Sequence, residues 1–88
     1  MAKYKLLIKL SAAKEIEAIP NIKDRRRVVD RINKLSQNPR SAGCEKLSGQ
    51  DKYRVRQGHS RIIYSIEDTS LTVNIVKVGH RKDVYRRV

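Results

Sequence analysis

Between Asn38-Pro39 and Tyr53 the apolar period of this chain changes from that of a helix to that of a strand. Before the change, hydrophobic residues recur at helical spacing. After it they alternate, and both patterns bury one side only. Neither layer can hide its apolar side alone, so the chain must stack helices on a sheet. With 88 residues there is room for one domain, spanning 1–88, and for a thin core between two layers.

The helical half begins after a loosely alternating first strand over residues 3–10. Ser11 is placed to cap a short helix whose Ala12, Ile16 and Ile19 share a face, with Pro20 closing it. Asn21 is the expected cap of a second helix, with Asp24 favourably placed in its first turn. Ile22, Val29, Ile32 and Leu35 are its expected apolar stripe, and Asn38-Pro39 its stop. A short strand is expected around Glu45-Lys46-Leu47. The runs 53–57 and 60–67 then meet across Gly58-His59, whose leading glycine suits a type II′ turn. That hairpin pairs Val55 with Ile62 and Tyr53 with Tyr64. A turn at Asp68-Thr69 returns the chain, setting Leu71, Val73 and Ile75 beside Ile66, Tyr64 and Ile62. Strict alternation would carry Lys77 inward, so a bulge or strand end is expected near Val76–Val78. The expected architecture is α+β, in the order β-α-α-β-β-β, a helical hairpin packed on a small antiparallel sheet.

Charge narrows the function. Twenty-one Lys and Arg against nine Asp and Glu give a formal net charge of +12, which attracts polyanions through phosphate neutralisation. The basic residues do not line an apolar helix, which disfavours a membrane surface as partner. No apolar run is long enough to cross a bilayer, and the opening residues lack a signal-peptide core. Cys44 is the sole cysteine and the histidines number two, so no disulfide, metal cage or cofactor site is read. A reduced, cytoplasmic protein is expected.

If the hairpin holds, the face opposite its apolar side collects Arg54, Arg56 and Arg61, and no acidic residue lies between Tyr53 and Ile66. Guanidinium groups fork around phosphate oxygens and stay charged, so this cluster points to an anion. The plainer reading is a solvated sheet face that keeps the chain soluble. Arg25-Arg26-Arg27 is similarly read either as solvated helix surface or as a docking patch for ribosomal RNA.

The segment Val76-Lys77-Val78-Gly79-His80-Arg81-Lys82-Asp83-Val84-Tyr85 sharpens this. With Tyr53-Arg54-Val55-Arg56, Ser60-Arg61-Ile62-Ile63-Tyr64 and Cys44-Glu45-Lys46-Leu47-Ser48-Gly49, it resembles the RelE toxin family of bacterial and archaeal toxin–antitoxin modules. The resemblance covers nearly the whole chain. It implies a metal-independent endoribonuclease that cuts messenger RNA in the ribosomal decoding site, using the RNA's own 2′-hydroxyl. By that resemblance Arg54, Arg56, Arg61, Arg81 and Tyr85 form the catalytic set, with Arg61 clamping phosphate and Arg81 near the leaving oxygen. Lys52, His80, Lys82, Arg25 and Arg26 are the candidate RNA contacts. The implied partners are a RelB-like antitoxin, the ribosome with its mRNA, and operator DNA for the toxin–antitoxin complex.

Many RelE-like toxins carry lysine where this chain has Arg54, and arginine does not give up its proton. The general base is then left among Tyr85, His80, Lys52 and the ribosome itself. Two other readings stand beside the nuclease. One is a ParE-like inhibitor of DNA gyrase, and the other is a basic RNA-binding protein without catalysis.

Overall fold

The computed structural model describes residues 3–41, 43–49 and 51–80, with backbone alone at His80. Its elements run β1 (Lys5–Ile8), α1 (Leu10–Glu17), α2 (Ile22–Gln37), β2 (Glu45–Lys46), β3 (Tyr53–Gln57), β4 (Ser60–Glu67) and β5 (Thr72–His80). Five strands form one sheet in the order β1-β5-β4-β3-β2. The two helices cover one face of it, and the α+β class holds. The sheet is mixed, however, not antiparallel throughout: β1 lies parallel to β5, with Lys5 opposite Thr72 and Ile8 opposite Ile75. Between β1 and the rest of the sheet comes the helical crossover, and a crossover of that length permits parallel pairing. The pair Glu45–Lys46 joins β3 as a strand of its own.

Helix α1 starts without the expected cap. Lys9 stands at its N-cap in extended conformation with no side-chain bond, and Ser11 is inside the first turn. Strand and helix follow one another so closely that the cap falls on a residue still tied to the sheet through Lys9 N and Ile75 O at 3.0 Å. At α2 the cap is as expected. Asn21 Oδ1 accepts from the backbone N–H of Lys23 at 2.8 Å and of Asp24 at 3.2 Å. The buried stripe of α2 is Val28, Ile32 and Leu35, with Ser36, in place of the expected Ile22 and Val29. Those two are 65% and 40% exposed. Adjacent valines left the phase of the stripe open, and packing on the sheet selected Val28.

The hairpin has the expected register, with Tyr53 opposite Tyr64, Val55 opposite Ile62 and Arg56 opposite Arg61. Gly58 has φ +61° and His59 does not share the left-handed region, as a type II′ turn requires. The next turn runs two residues longer than expected, from Asp68 to Leu71. Leu71 sits at φ 49°, 40% exposed, and belongs to the turn. The register therefore moves two residues, so that Ile66 faces Val73 and Tyr64 faces Ile75, and a third past the bulge, where Ile62 faces Val78. A slip of two leaves the same side chains on the core side. The bulge falls at Val76, between the pairs Tyr64–Ile75 and Ile63–Lys77, and it returns Lys77 to solvent.

The core joins Ala12, Ile16, Ile19, Val28, Ile32 and Leu35 of the helical layer to Val55, Ile62, Tyr64, Val73, Ile75 and Val78 of the sheet. Tyr64 is fully buried, stacks on Tyr53 at 5.8 Å between centroids, and donates its hydroxyl to the Pro39 carbonyl at 2.7 Å. Burial pushes its phenol well above the ordinary tyrosine range. Tyr64→Phe leaves that carbonyl without its donor, at a cost of about 1–3 kcal/mol. In a domain of this size each kcal/mol lowers the melting temperature by about 4–8 °C. A thermal melt is expected to show that drop; an unchanged midpoint means water replaces the hydroxyl.

A second tie closes the far end of the sheet. Arg40 grips Asp68 through both nitrogens at 2.9 and 3.1 Å, and the Tyr4 hydroxyl donates to the same carboxylate at 2.8 Å. The Arg40 guanidinium, then the Tyr4 hydroxyl, hold the Asp68 carboxyl below the usual carboxylate range. A lowered folded-state value means that this contribution is present above the ordinary carboxylate pKa. It fades as the pH falls through the lowered one.

Candidate active site on the open sheet face

Strand alternation sends every second side chain of β3 and β4 away from the helices. On that side stand Arg54 and Arg56 from β3 and Arg61 from β4, with Arg56 directly across from Arg61. Arg56 and Arg61 are exposed, and Arg54 is half-buried. Like charges directly opposite each other repel. An anion bridging the two guanidinium groups would remove that repulsion.

The register of β2 adds a residue that reading the sequence missed. Glu45 is the partner of Arg54, and its Oε2 accepts from Arg54 Nη2 at 3.4 Å. The carboxylate is mostly exposed, at 63%, while the guanidinium it meets is 26% exposed. Arg54 Nε is buried without a hydrogen-bond partner among the described residues. Arg54 is thus held in place at the border of the face, and Glu45 supplies a proton-accepting group where arginine offers none. The expectation of a short strand at Glu45-Lys46-Leu47 was the available signal. What it lacked was the register that decides whether Glu45 or Lys46 shares the arginine side.

The other expected site residues divide by layer. Lys52 is half-buried just ahead of β3, its carbonyl accepting from Leu47 N at 2.8 Å. His80 closes β5 opposite Ser60. Arg81, Lys82 and Tyr85 lie outside the described residues. Arg25 and Arg26 are on α2, in the layer behind the sheet. Arg26 is exposed, whereas Arg25 donates through Nη2 to the Ile19 carbonyl at 2.9 Å and so braces the turn between the helices. These two arginines cannot share one phosphate with Arg56 and Arg61. Among the described residues no group of three or more His, Cys, Asp and Glu could hold a metal ion.

The family model for the ParE toxin of type II toxin–antitoxin systems matches residues 6–85. The chain belongs to the RelE/ParE toxin superfamily. This toxin is 46% identical to Toxin RelG of Mycobacterium tuberculosis over 35 residues, a match covering 40% of each chain. Its fold is similar to the toxin–antitoxin complex RelBE2 from the same organism, at TM-score 0.79 and 26% identity. That likeness covers 90% of this chain and 99% of the other. The archaeal RelE–RelB complex of Pyrococcus horikoshii OT3 is similar at TM-score 0.75 and 25% identity, covering 92% and 97% of the two chains. The matched span runs through β5 and includes Arg81 and Tyr85 of the toxin.

Proposed function

We propose that this toxin cuts messenger RNA in the decoding site of the ribosome by directing the RNA's own 2′-hydroxyl against the neighbouring phosphorus. The observation that carries this reading is the facing pair Arg56 and Arg61 on an open sheet face, with Arg54 and Glu45 at its border. In the reaction the 2′ oxygen forms a bond to phosphorus and its proton passes to the Glu45 carboxylate. The bond from phosphorus to the 5′ oxygen breaks, and that oxygen takes a proton from solvent water while Glu45 returns its own to solvent. The products are a 2′,3′-cyclic phosphate on the upstream fragment and a 5′-hydroxyl on the downstream one. Charge gathers on the phosphoryl oxygens at the transition state, where Arg56 and Arg61 meet it. Arg81 is assigned to the leaving oxygen and Tyr85 to the base or the 2′-hydroxyl, both from the RelE resemblance. Lys52, His80 and Lys82 flank the bound RNA, and Arg26 contacts ribosomal RNA from the other layer. Electrostatic stabilisation comes from guanidinium groups, so the chemical step uses no metal.

Its partner under this reading is a RelB-like antitoxin, supported by the two similar solved complexes. A target on the ribosome places the toxin in the cytoplasm, and no helix among the described residues is long and apolar enough to cross a membrane.

The ParE name of the matching family model favours one competing reading, a toxin that inhibits DNA gyrase by binding it. One experiment separates the two. Induction of the chain is followed by transcript integrity, translation and plasmid supercoiling in the same culture. Early transcript cutting with cyclic phosphate ends is the expected result. A change in supercoiling ahead of intact transcripts would overturn the nuclease reading.

A further inference from the structure

Glu15, on α1, stands apart from the arginine face. Strand β1 ends at Ile8, and its last link to β5 is the bond from Lys9 N to Ile75 O at 3.0 Å. Past Ile75 the strand continues without a neighbouring strand on that side among the described residues. The bulge at Val76 changes which backbone groups point which way, and the Val78 N–H faces α1. The Glu15 carboxylate receives it there, Oε1 lying 3.0 Å away, while Oε2 takes the Lys77 ammonium at 3.3 Å. One carboxylate therefore does for the end of β5 what β1 does for its beginning. The residues held by Glu15 lie across from Ile63 and Ile62, and the pairs that follow directly are Arg61 with Gly79 and Ser60 with His80.

We propose that Glu15 is a positioning residue for the arginine face. It fixes the register of the end of β5 against β4, and with it the backbone at Gly79 that stands across from Arg61. The proposal rests on reading that face as the toxin's working surface. The bond to Val78 N–H is the operative one, since a backbone donor meeting a carboxylate is strong and directional. The ion pair with Lys77, 59% and 33% exposed, is screened by solvent and adds little.

The test compares Glu15→Gln, Glu15→Leu and Lys77→Met in the full chain. Readouts are Val78 amide hydrogen exchange, growth arrest on induction, and single-turnover cleavage at saturating ribosomes beside a thermal melt. Glutamine keeps an oxygen for the Val78 N–H, and Glu15→Gln and Lys77→Met should stay within about twofold of the parent. Glu15→Leu should speed Val78 exchange and cut the cleavage rate about tenfold or more through misplacement alone, with ribosome affinity unchanged. Parental exchange and cleavage in Glu15→Leu would overturn the proposal. So would equal losses in Glu15→Gln and Glu15→Leu, or a loss no larger than the unfolded fraction in the melt. If the parent arrests growth without cutting transcripts, the nuclease reading fails by itself. The variants are then ranked on growth arrest and Val78 exchange, and the same order is expected.

Discussion

Arg61→Ala is expected to lower single-turnover cleavage on programmed ribosomes about 10²–10³-fold, the usual loss when a group aimed at transition-state charge is removed. Stability should barely move. Arg61 is exposed on β4 and points away from the core, so truncation is worth within about 0.5 kcal/mol. The sign of that small change is informative, because removing one of two like charges facing across the strands relieves repulsion between Arg56 and Arg61. A melting temperature equal to or slightly above the parent's is therefore expected together with the lost rate. Ribosome binding should persist, since 20 of the 21 basic residues remain. Arg56→Ala should behave alike, and the double variant should lose less than the sum of the two, because both act on one phosphate. Arg81→Ala carries the same expected loss from its assigned place at the leaving oxygen. A folded, ribosome-bound Arg61→Ala that cuts at the parental rate would remove the arginine pair from the mechanism.

Glu45→Gln separates proton transfer from charge placement. The amide keeps an oxygen for Arg54 Nη2 and cannot take the 2′-hydroxyl proton. A positioned general base contributes about 10²–10⁴ to rate, and a loss in that range is expected. Docking should hold or tighten, because the change removes a negative charge from the surface proposed to meet RNA. Cleavage at the parental rate would return the proton to Lys52, His80 or Tyr85, and the matching substitutions at those positions would then identify it.

Most of the fold was legible because local chemistry announced it. Gly58 selected a type II′ turn, Asn21 stood where a cap was needed, and alternation sorted the side chains of β3 and β4 to their sides. Alternation reveals which face a residue takes and is silent about which strand lies alongside. The parallel placement of β1 was hidden for that reason, and so was the partner of Glu45. Leu71 was misplaced on ordinary grounds, since a leucine with positive φ has no sequence signal and extends a turn that composition would end sooner. Val28 and Val29 are chemically alike, and only the surface beneath α2 tells them apart. The arginine face itself was legible from spacing. Its carboxylate was not, because it arrives from β2 across a loop.

The pairing of β1 with β5 also bears on when the domain comes into being. Lys5 is synthesised well before its partner Thr72, so the seam between them closes a loop holding both helices and the hairpin. Contacts so distant along the chain delay folding, because the entropy of closure comes before the reward. While it is being made, the polypeptide can nucleate helices and the β3–β4 hairpin but cannot finish its sheet. Completion waits until β5 has emerged, and with it the register that sets Gly79 against Arg61. Until that strand pairs, the arginine face lacks the neighbour that flanks Arg61.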